Sequence, residues 1–497
     1  MNSIHPVLKA IHRQKILKWS LRLLFAGCLA VVIWNFNAIS DKPLCEKCNV
    51  ILVSLDTLSA LHLPCYGYER NTAPNLCAFA DKNLLFLNSY SHSPTTLDSH
   101  FSIFTSLYPH THGMKSLSTG SLNEKNYTLA QIYRNNGYQT IYHGALDDLH
   151  LPLDRGIERG FNTIEGSSVI DSWESAYKLL DKNIENKKNF FMFLHTYAVH
   201  DPYLTGHSSK HLYTDQKEYE NIPLTMEEYT QITPEFAKFA AYYIKDWNFF
   251  KSSNDKNFSR ILEELKNTEN LSEAGRLFDK LSVQQGLLLN LWSHYNIDEK
   301  DSEQVRYLRA LYDEQIHNLD QKLGKLLKMV ESPKYSENTI LVITADHGEE
   351  FMEHGNLFHG LNLYRTSTQV PLIIHIRGVK PKKIKEMVQG IDIYPTLLSI
   401  TGFKPQSRIE GIDLTGMISA SKNALKNEYL LSEVSYEAAG VQMENWRFYY
   451  RIKDGMPLEL YNLETDPLEQ KNVLSQHPEK REALLELIDK LNIPYRE

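Results

Sequence analysis

The residues of this 497-residue sequence that could support chemistry are two aspartates, two histidines and a threonine. Asp56, His200, Asp346 and His347 follow apolar runs, and Thr96 stands at the start of a predicted amphipathic helix. A helix N-terminus favours an anion, because its first N–H groups are unpaired and its dipole is positive there. Each residue alone has an ordinary explanation, since a threonine before a helix is commonly a cap and an aspartate after a strand is commonly a turn residue.

Taken together, two carboxylates, an imidazole and a hydroxyl predict a site for one divalent metal ion. Oxygen ligands suit Ca²⁺, Mg²⁺ or Mn²⁺, and the imidazole also admits Zn²⁺. Such an ion would lower the pKa of the Thr96 hydroxyl and polarise a non-bridging oxygen of a phosphate or sulfate ester. The group therefore predicts a metal-assisted attack by Thr96 on an anionic ester.

Six apolar runs are the strands that would position these residues. They alternate with predicted helices, which is typical of an α/β three-layer sandwich with a mainly parallel central sheet. Ligands gather at the carboxyl ends of the strands in such sheets, so we expect the four strand-end residues at one edge. The predicted strands are residues 49–55, 84–87, 137–142, 190–194, 339–344 and 370–375, and the predicted helices include residues 74–83, 129–135, 305–329 and 394–400.

The chain is expected to contain a catalytic domain at residues 49–400 and a smaller C-terminal part at residues 401–497. Short predicted strands at 446–452 and 458–463 and a terminal helix at 478–491 indicate a small α+β subdomain packed on the main sheet. Residues 203–301 are polar, with many Lys, Glu and Asn residues and no strand pattern. We interpret them as a helical insertion, either a flap near the site or a surface elaboration.

The N-terminal segment has the pattern of a membrane anchor. Five cations precede an uncharged stretch at residues 23–40, namely Lys9, Arg13, Lys15, Lys18 and Arg22. At a rise of about 1.5 Å per residue, this stretch just spans a hydrocarbon core of about 30 Å. The charges orient residues 1–22 to the cytoplasm. We therefore expect a single-pass membrane protein whose catalytic domain is extracytoplasmic, either periplasmic or extracellular; a cleaved signal peptide is the alternative.

Charge and cysteine content bear on the partners of the protein and on its redox compartment. The net charge of −8 is ordinary for a globular protein, and no basic tract or Lys/Arg stripe indicates a nucleic-acid partner. Cys28 falls in the apolar segment, and Cys45, Cys48, Cys65 and Cys77 lie beyond it. An even number of cysteines outside the cytoplasm permits two disulfides. Cys45 with Cys48 and Cys65 with Cys77 is the local pairing, although the Cys-x-x-Cys spacing also leaves a redox or zinc half-site open.

Several motifs in order resemble the sulfatase family of the alkaline-phosphatase superfamily, from about residue 49 to near the C-terminus. They are Asn-Val-Ile-Leu-Val-Ser-Leu-Asp-Thr-Leu at 49–58, residues 99–113 ending in Tyr-Pro-His-Thr-His-Gly, His-Asp-Pro-Tyr at 200–203, Thr-Ala-Asp-His-Gly-Glu at 344–349, and Leu-Tyr-Asn-Leu-Glu-Thr-Asp-Pro at 460–467. The resemblance implies the metal ligands Asp56, Thr96, Asp346 and His347, the nucleophile Thr96, the oxyanion-binding residues His200 and His359, and His100 in the place of an arginine that supports the nucleophile.

The departures from the family pattern concern the chemistry. Sulfatases use a Cys or Ser that is oxidised to formylglycine, whereas Thr96 carries a methyl group on Cβ and cannot give that aldehyde. A threonine here resembles the phosphoethanolamine- and phosphoglycerol-transferring branches, which form a phospho-threonine. Asp98 replaces a proline, Ala145 and Asp147 stand where sulfatases have Lys-x-His, and Arg365 replaces an acid.

The resulting hypothesis is a membrane-anchored enzyme that hydrolyses or transfers phosphate esters, with lipid or cell-envelope glycan as the candidate substrates. Two alternatives are a sulfatase that works without formylglycine and a non-catalytic binding or scaffold protein of the same family.

A second metal is not expected. The Asp-x-x-x-His pair Asp313 and His317 lies in a predicted amphipathic helix, where we expect an exposed pair of side chains one turn apart. Other histidines are expected to have hydrogen-bonding or surface roles; they are His92, His110, His112, His143, His195 and His354.

Overall fold

The computed structural model describes residues 43–115, 120–145, 151–167, 173–186, 188–200, 203, 212–213, 302–421, 423–434 and 438–490. The predicted basic segment at 1–22, the predicted anchor at 23–40 and nearly all of the predicted insertion at 203–301 lie outside these residues. Among the helices within these ranges, none has both the length and the apolar character needed to cross a membrane.

An eight-stranded sheet carries the candidate site. Its strands are β1 (Asn49–Leu55), β2 (Leu84–Tyr90), β3 (Gln139–Ala145), β4 (Thr163–Ser167), β5 (Phe190–Thr196), β6 (Thr339–Thr344), β9 (Leu372–His375) and β10 (Lys382–Gln389); β7 (Glu350–Phe351) and β8 (Leu357–Phe358) form a separate hairpin. The spatial order is β10-β2-β9-β6-β1-β5-β3-β4. Strand β1 therefore lies between β5 and β6, which brings the carboxyl ends of these three strands together.

The prediction of a mainly parallel sheet is confirmed, with one exception. Strand β9 runs antiparallel to both of its neighbours, β2 and β6. A parallel return needs a crossover of a dozen or more residues, usually with a helix. The segment between β6 and β9 is long enough for such a crossover, but it contains the β7–β8 hairpin and a helix of only four residues, Arg365–Thr368, and no helix that runs back along the sheet. The chain therefore enters β9 from the same edge at which it left β6.

Helices cover both faces of the sheet, because successive strand side chains point to opposite sides. Ile51, Val53 and Leu55 pack on one face, while Val50 and Leu52 pack on the other. The helices are α1 (Pro74–Ala80), α2 (Thr96–Thr105), α3 (Pro109–His112), α4 (Leu129–Asn135), α5 (Trp173–Glu185), α6 (Ser302–Glu331), α7 (Pro333–Ser336), α8 (Arg365–Thr368), α9 (Ile393–Thr401), α10 (Thr415–Ile418) and α11 (Pro478–Lys490). Helices α1, α5 and α6 contribute to the first core, and α2, α4 and α9 to the second.

The C-terminal part of the chain contains a small α+β unit. Its antiparallel sheet has the sequential order β11 (Leu430–Val434), β12 (Ala438–Met443), β13 (Trp446–Arg451) and β14 (Pro457–Asn462). Leu484 and Ile488 of α11 pack in its core. Strand β11 contacts the segment before α2, since Glu433 N donates to His92 O at 2.8 Å and Ser432 Oγ donates to Ser91 O at 2.6 Å.

Two further sequence predictions have clear outcomes. The local pairing of cysteines is confirmed, with disulfides Cys45–Cys48 and Cys65–Cys77. The expected exposure of Asp313 is wrong, because its side chain is fully buried.

The burial of Asp313 has a simple physical cause. The residue lies on the side of α6 that faces the loop after β1, and its carboxylate accepts hydrogen bonds from His62 Nδ1 at 2.7 Å, Tyr68 Oη at 2.7 Å and Arg70 Nη1 at 2.9 Å. Three donors replace the water that an exposed carboxylate would bind. Asp313 therefore ties helix α6 to residues 62–70.

Candidate active site

The ends of β1 and β6 place the two candidate carboxylates side by side. Asp56 follows β1 directly, and its N–H donates to Thr196 O at the end of β5 at 3.1 Å. Asp346 follows β6, and its Oδ1 accepts hydrogen bonds from Thr57 N at 3.2 Å and from His347 N at 2.9 Å. The backbone of both strand ends therefore fixes Asp346, while its second oxygen points elsewhere.

The remaining atoms of this cluster suit a divalent cation. Asp56 Oδ1 and Asp346 Oδ2 are buried and accept no hydrogen bond from a donor in the described part of the chain. One ligand atom from each of Asp56, Asp346 and His347 lies within 4.8 Å of the others. The His347 Nδ1 proton donates to Gly348 O at 3.0 Å, which leaves Nε2 as the ring nitrogen with a lone pair. Unpaired buried oxygens and an oriented imidazole are the donor set that a metal ion requires.

Burial dominates the protonation of this cluster. Burial raises the pKa of Asp56 well above its ordinary value, and the nearby charge of Asp346 raises it further. Burial also acts to raise the pKa of Asp346, but the charges of His347, His100 and His195 outweigh it and lower that pKa. Burial lowers the pKa of His347. Two buried carboxylates this close repel each other when both are ionised, so without a cation one of them tends to keep a proton. A bound metal ion would stabilise both negative charges and would take the place of that proton.

Thr96 is brought to the same place by helix α2. It is the first residue of the helix, only 4 % exposed, and its Oγ1 lies 3.4 Å from His347 Nε2. The neighbouring hydroxyl of Thr95 instead forms a hydrogen bond with Ser93 Oγ at 3.0 Å. Thr96 is therefore the threonine that faces the carboxylate cluster.

His100 packs beneath Thr96, one helical turn further along α2. Its Nδ1 donates to Thr96 O at 2.8 Å, and its Nε2 accepts from Ser54 Oγ of β1 at 2.9 Å. The ring is fully buried and lies 3.7 Å from Asp346 Oδ2. His100 thus joins the first turn of the helix to the end of the central strand.

His200 and His359 extend the cluster toward its rim. The ring of His359 lies 4.4 Å from that of His347 and 4.8 Å from that of His200. His359 Nδ1 donates to Glu349 Oε1 at 2.9 Å, and Glu349 Oε2 accepts from Tyr203 Oη at 2.8 Å. All seven residues predicted for the site are consequently gathered around one point.

Two buried side chains of the site have roles that the sequence alone does not assign. His195 Nε2 donates to Asp56 Oδ2 at 2.9 Å, and Glu349 holds the ring of His359. The available signal for His195 is its position near the end of β5, where it pairs in register with Ser54 of β1. The signal for Glu349 is its place within residues 344–349.

The residues that depart from the family pattern have local partners. Asp98 is almost fully buried, and its charge acts on the Arg155 guanidinium, whose pKa burial lowers. Arg365 donates from Nε to Gln369 Oε1 at 3.0 Å, within the turn of α8. Asp147 lies outside the described residues, whereas Ala145 ends β3.

Two family models match the chain. The model for sulfatase matches residues 48–403, and the model for the C-terminal part of N-sulphoglucosamine sulphohydrolase matches residues 352–494. Because the first match covers more than half of the chain, the chain belongs to the sulfatase family, a family of hydrolases in the alkaline phosphatase superfamily.

Individual relatives are more distant. Arylsulfatase K of Xenopus laevis is 30% identical over 192 residues, which is 36% of this chain and 36% of the relative. Choline-sulfatase of Rhizobium meliloti is 24% identical over 451 residues, 87% of this chain and 83% of the relative. The solved phosphonate monoester hydrolase of Silicibacter pomeroyi has a TM-score of 0.62 at 19% identity, covering 90% of this chain and 95% of the other. The chain thus aligns with about a third of the Xenopus laevis relative and with most of the other two.

Proposed function

We propose that this member of the sulfatase family hydrolyses or transfers phosphate or phosphonate esters, with Thr96 as the nucleophile and one divalent metal ion as cofactor. One observation carries the proposal. The Thr96 hydroxyl lies 3.4 Å from His347 Nε2. Beside it, Asp56 Oδ1 and Asp346 Oδ2 accept no hydrogen bond from a donor in the described part of the chain. A buried hydroxyl at a helix N-terminus, next to a cation site, is suited to attack an anionic ester.

The residues of the site divide the work. Asp56, Asp346 and His347 would hold the metal, and the Thr96 oxygen would complete its ligand set. When bound, the ion supplies positive charge that lowers the pKa of a hydroxyl and polarises an ester oxygen. His195 orients Asp56 through the hydrogen bond to Oδ2. These contacts keep the nucleophile and the ligands in one geometry before substrate arrives.

The proposed reaction has two displacements. Thr96 Oγ1 loses its proton to solvent and forms a bond to phosphorus, while the bond from phosphorus to the leaving oxygen breaks and that oxygen takes up a proton. His200 and His359 would bind the non-bridging oxygens, and Glu349 accepts the Nδ1 proton of His359 and so fixes the orientation of that ring. Water, or an acceptor alcohol, then attacks phosphorus and releases Thr96 with its hydroxyl restored. His100 holds the Thr96 carbonyl throughout.

A second candidate function is the hydrolysis of sulfate esters by the same threonine. It is favoured by the names of the relatives, arylsulfatase K and choline-sulfatase. The intermediate would be a threonine sulfate, because Thr96 cannot be oxidised to an aldehyde. The third candidate, a non-catalytic binding protein, would show neither turnover nor a requirement for metal.

The predicted anchor completes the proposal. Residues 23–40 would hold the enzyme in a membrane with its catalytic domain outside the cytoplasm, close to lipid or cell-envelope glycan esters. The supporting observation is the uncharged stretch behind five cations.

A panel of p-nitrophenyl phosphate, phosphonate, phosphodiester and sulfate esters tests the function. We expect Thr96→Ala to lower kcat by at least about 10³-fold, as removal of a covalent nucleophile does. The matched variant Thr95→Ala should keep most of the activity, because that hydroxyl bonds to Ser93. Mass spectrometry of quenched enzyme should find a phosphorylated Thr96 peptide.

Each result assigns one candidate. Equal turnover by Thr96→Ala and wild type would refute the nucleophile, and turnover of sulfate esters alone would replace the phosphoryl reaction by the sulfuryl one. An inactive wild type that retains no metal after dialysis would identify the binding protein.

A further inference from the structure

The turn that carries Asp56 has an unusual backbone. Thr57, the next residue, has φ = 58°, in the left-handed region that side chains with a branched Cβ rarely adopt. From this conformation the Thr57 N–H donates to Asp346 Oδ1 at 3.2 Å. The turn therefore connects one candidate metal ligand to the other, but only while Thr57 stays in a conformation that it does not favour by itself.

A single phenol spans this turn. Tyr312 Oη donates to Thr57 O at 2.7 Å and accepts from Ser59 N at 2.9 Å. The side chain is fully buried and comes from helix α6, far away in sequence. Both backbone groups are buried with it, and buried backbone groups must be paired.

The ring of Tyr312 is held from several sides. Its centroid lies 5.4 Å from that of Tyr203, 5.2 Å from that of Phe351 and 4.9 Å from that of His62. The next residue, Asp313, fixes the same part of α6 to residues 62–70. These contacts fix the position of the Tyr312 hydroxyl, which therefore does not depend on its hydrogen bonds to the turn.

We propose that Tyr312 is a positioning residue for the metal site. Its hydroxyl keeps Thr57 in the left-handed conformation. In that conformation the Thr57 N–H donates to Asp346 Oδ1, and the preceding residue, Asp56, is held next to Asp346. The site is then preorganised before an ion binds. This inference rests on the proposed function, because it assumes that Asp56, Asp346 and His347 bind a divalent metal.

Tyr312→Phe removes the hydroxyl and keeps the ring contacts. The matched control is Tyr66→Phe, because Tyr66 Oη also joins two backbone groups, accepting from Leu372 N at 3.0 Å and donating to Phe86 O at 3.1 Å. Each variant loses one phenol hydroxyl that joins two backbone groups, so a general loss of stability is the same kind of change in each. Only Tyr312 bonds to the turn between the metal ligands.

The measurement is Mn²⁺ binding to the EDTA-treated full chain, by titration calorimetry well below the unfolding temperature. We expect Tyr312→Phe to weaken the affinity about tenfold, the lower end of what loss of an outer hydrogen-bond partner costs a metal site, and Tyr66→Phe to stay within about twofold of wild type. A folded Tyr312→Phe that binds Mn²⁺ as tightly as Tyr66→Phe overturns the inference. Failure of wild type to bind Mn²⁺ refutes the proposed metal site itself.

Hydrogen exchange keeps the inference testable if Tyr312→Phe does not fold. In metal-free wild type, the Ser59 amide should exchange slowly, because its acceptor is the Tyr312 hydroxyl and not a group that needs the ion. Rapid exchange of that amide without Mn²⁺ would show that Tyr312 does not hold the turn.

Discussion

Replacement of the buried Asp313 by asparagine tests how helix α6 is attached to the catalytic face. The change removes the charge from an acceptor of three hydrogen bonds, from His62, Tyr68 and Arg70. A hydrogen bond to a charged group contributes about 1.5–3 kcal/mol, and breaking a buried ion pair costs about 3–5 kcal/mol. Because the asparagine oxygen still accepts some of these bonds, we expect a loss of about 3 kcal/mol in the free energy of unfolding.

The assay is urea-induced unfolding followed by circular dichroism and fluorescence, at fixed pH and salt. The matched control is Asp81→Asn, because the Asp81 carboxylate pairs with Lys383 at 3.1 Å while 63% exposed. A surface pair of this kind contributes about 0–1 kcal/mol. If Asp313→Asn destabilises the protein no more than Asp81→Asn does, the three bonds do not attach α6 and the reasoning is refuted.

Two further predictions concern histidines. His195→Phe keeps a ring but removes the donor to Asp56 Oδ2, so the affinity for Mn²⁺ should fall about tenfold. The control His143→Phe loses a hydrogen bond to Ser175 and should leave the affinity unchanged. Equal affinities of the two variants would contradict the role of His195. Burial lowers the pKa of His92 to about 4. Between pH 6.5 and that value, His92 therefore binds a proton in the unfolded chain but not in the folded chain. The contribution of His92 to the free energy of unfolding should be fully present above pH 6.5 and should fall by roughly 3 kcal/mol as the pH approaches 4. His92→Gln should reduce the dependence of the urea midpoint on pH. A wild-type urea midpoint that does not change from pH 7 to pH 4.5 would contradict this.

Much of the sheet follows from local pattern. Strands β1, β5 and β6 are continuous apolar runs, and such runs are typical of strands buried on both faces. Helix α4 begins where Thr128 and Gln131 form a capping box, so its start is also encoded locally. The direction of β9 is not, because it depends on how the chain returns from β6, and residues 370–375 are equally apolar in either direction.

The candidate site shows the same division. The sequence singles out Asp56, Thr96, His200, Asp346 and His347, because strand ends and helix starts have recognisable patterns. It does not single out His195 as the partner of Asp56, and it predicts the opposite environment for Asp313. Both outcomes depend on partners that are far apart along the chain, and no spacing rule relates residues more than a hundred positions apart.

The sequence by itself determined the chemical possibilities of this protein. It places a threonine where the family has an oxidisable residue, and it lists the carboxylates and imidazoles available to a metal. The tertiary structure decided which of them meet. Strand β1 lies between β5 and β6, which puts Asp56 beside His195 and Asp346, and helix α6 brings Tyr312 to the turn at Thr57. The physical reason is that a left-handed threonine and a buried carboxylate are unfavourable alone, and only contacts made after folding stabilise them.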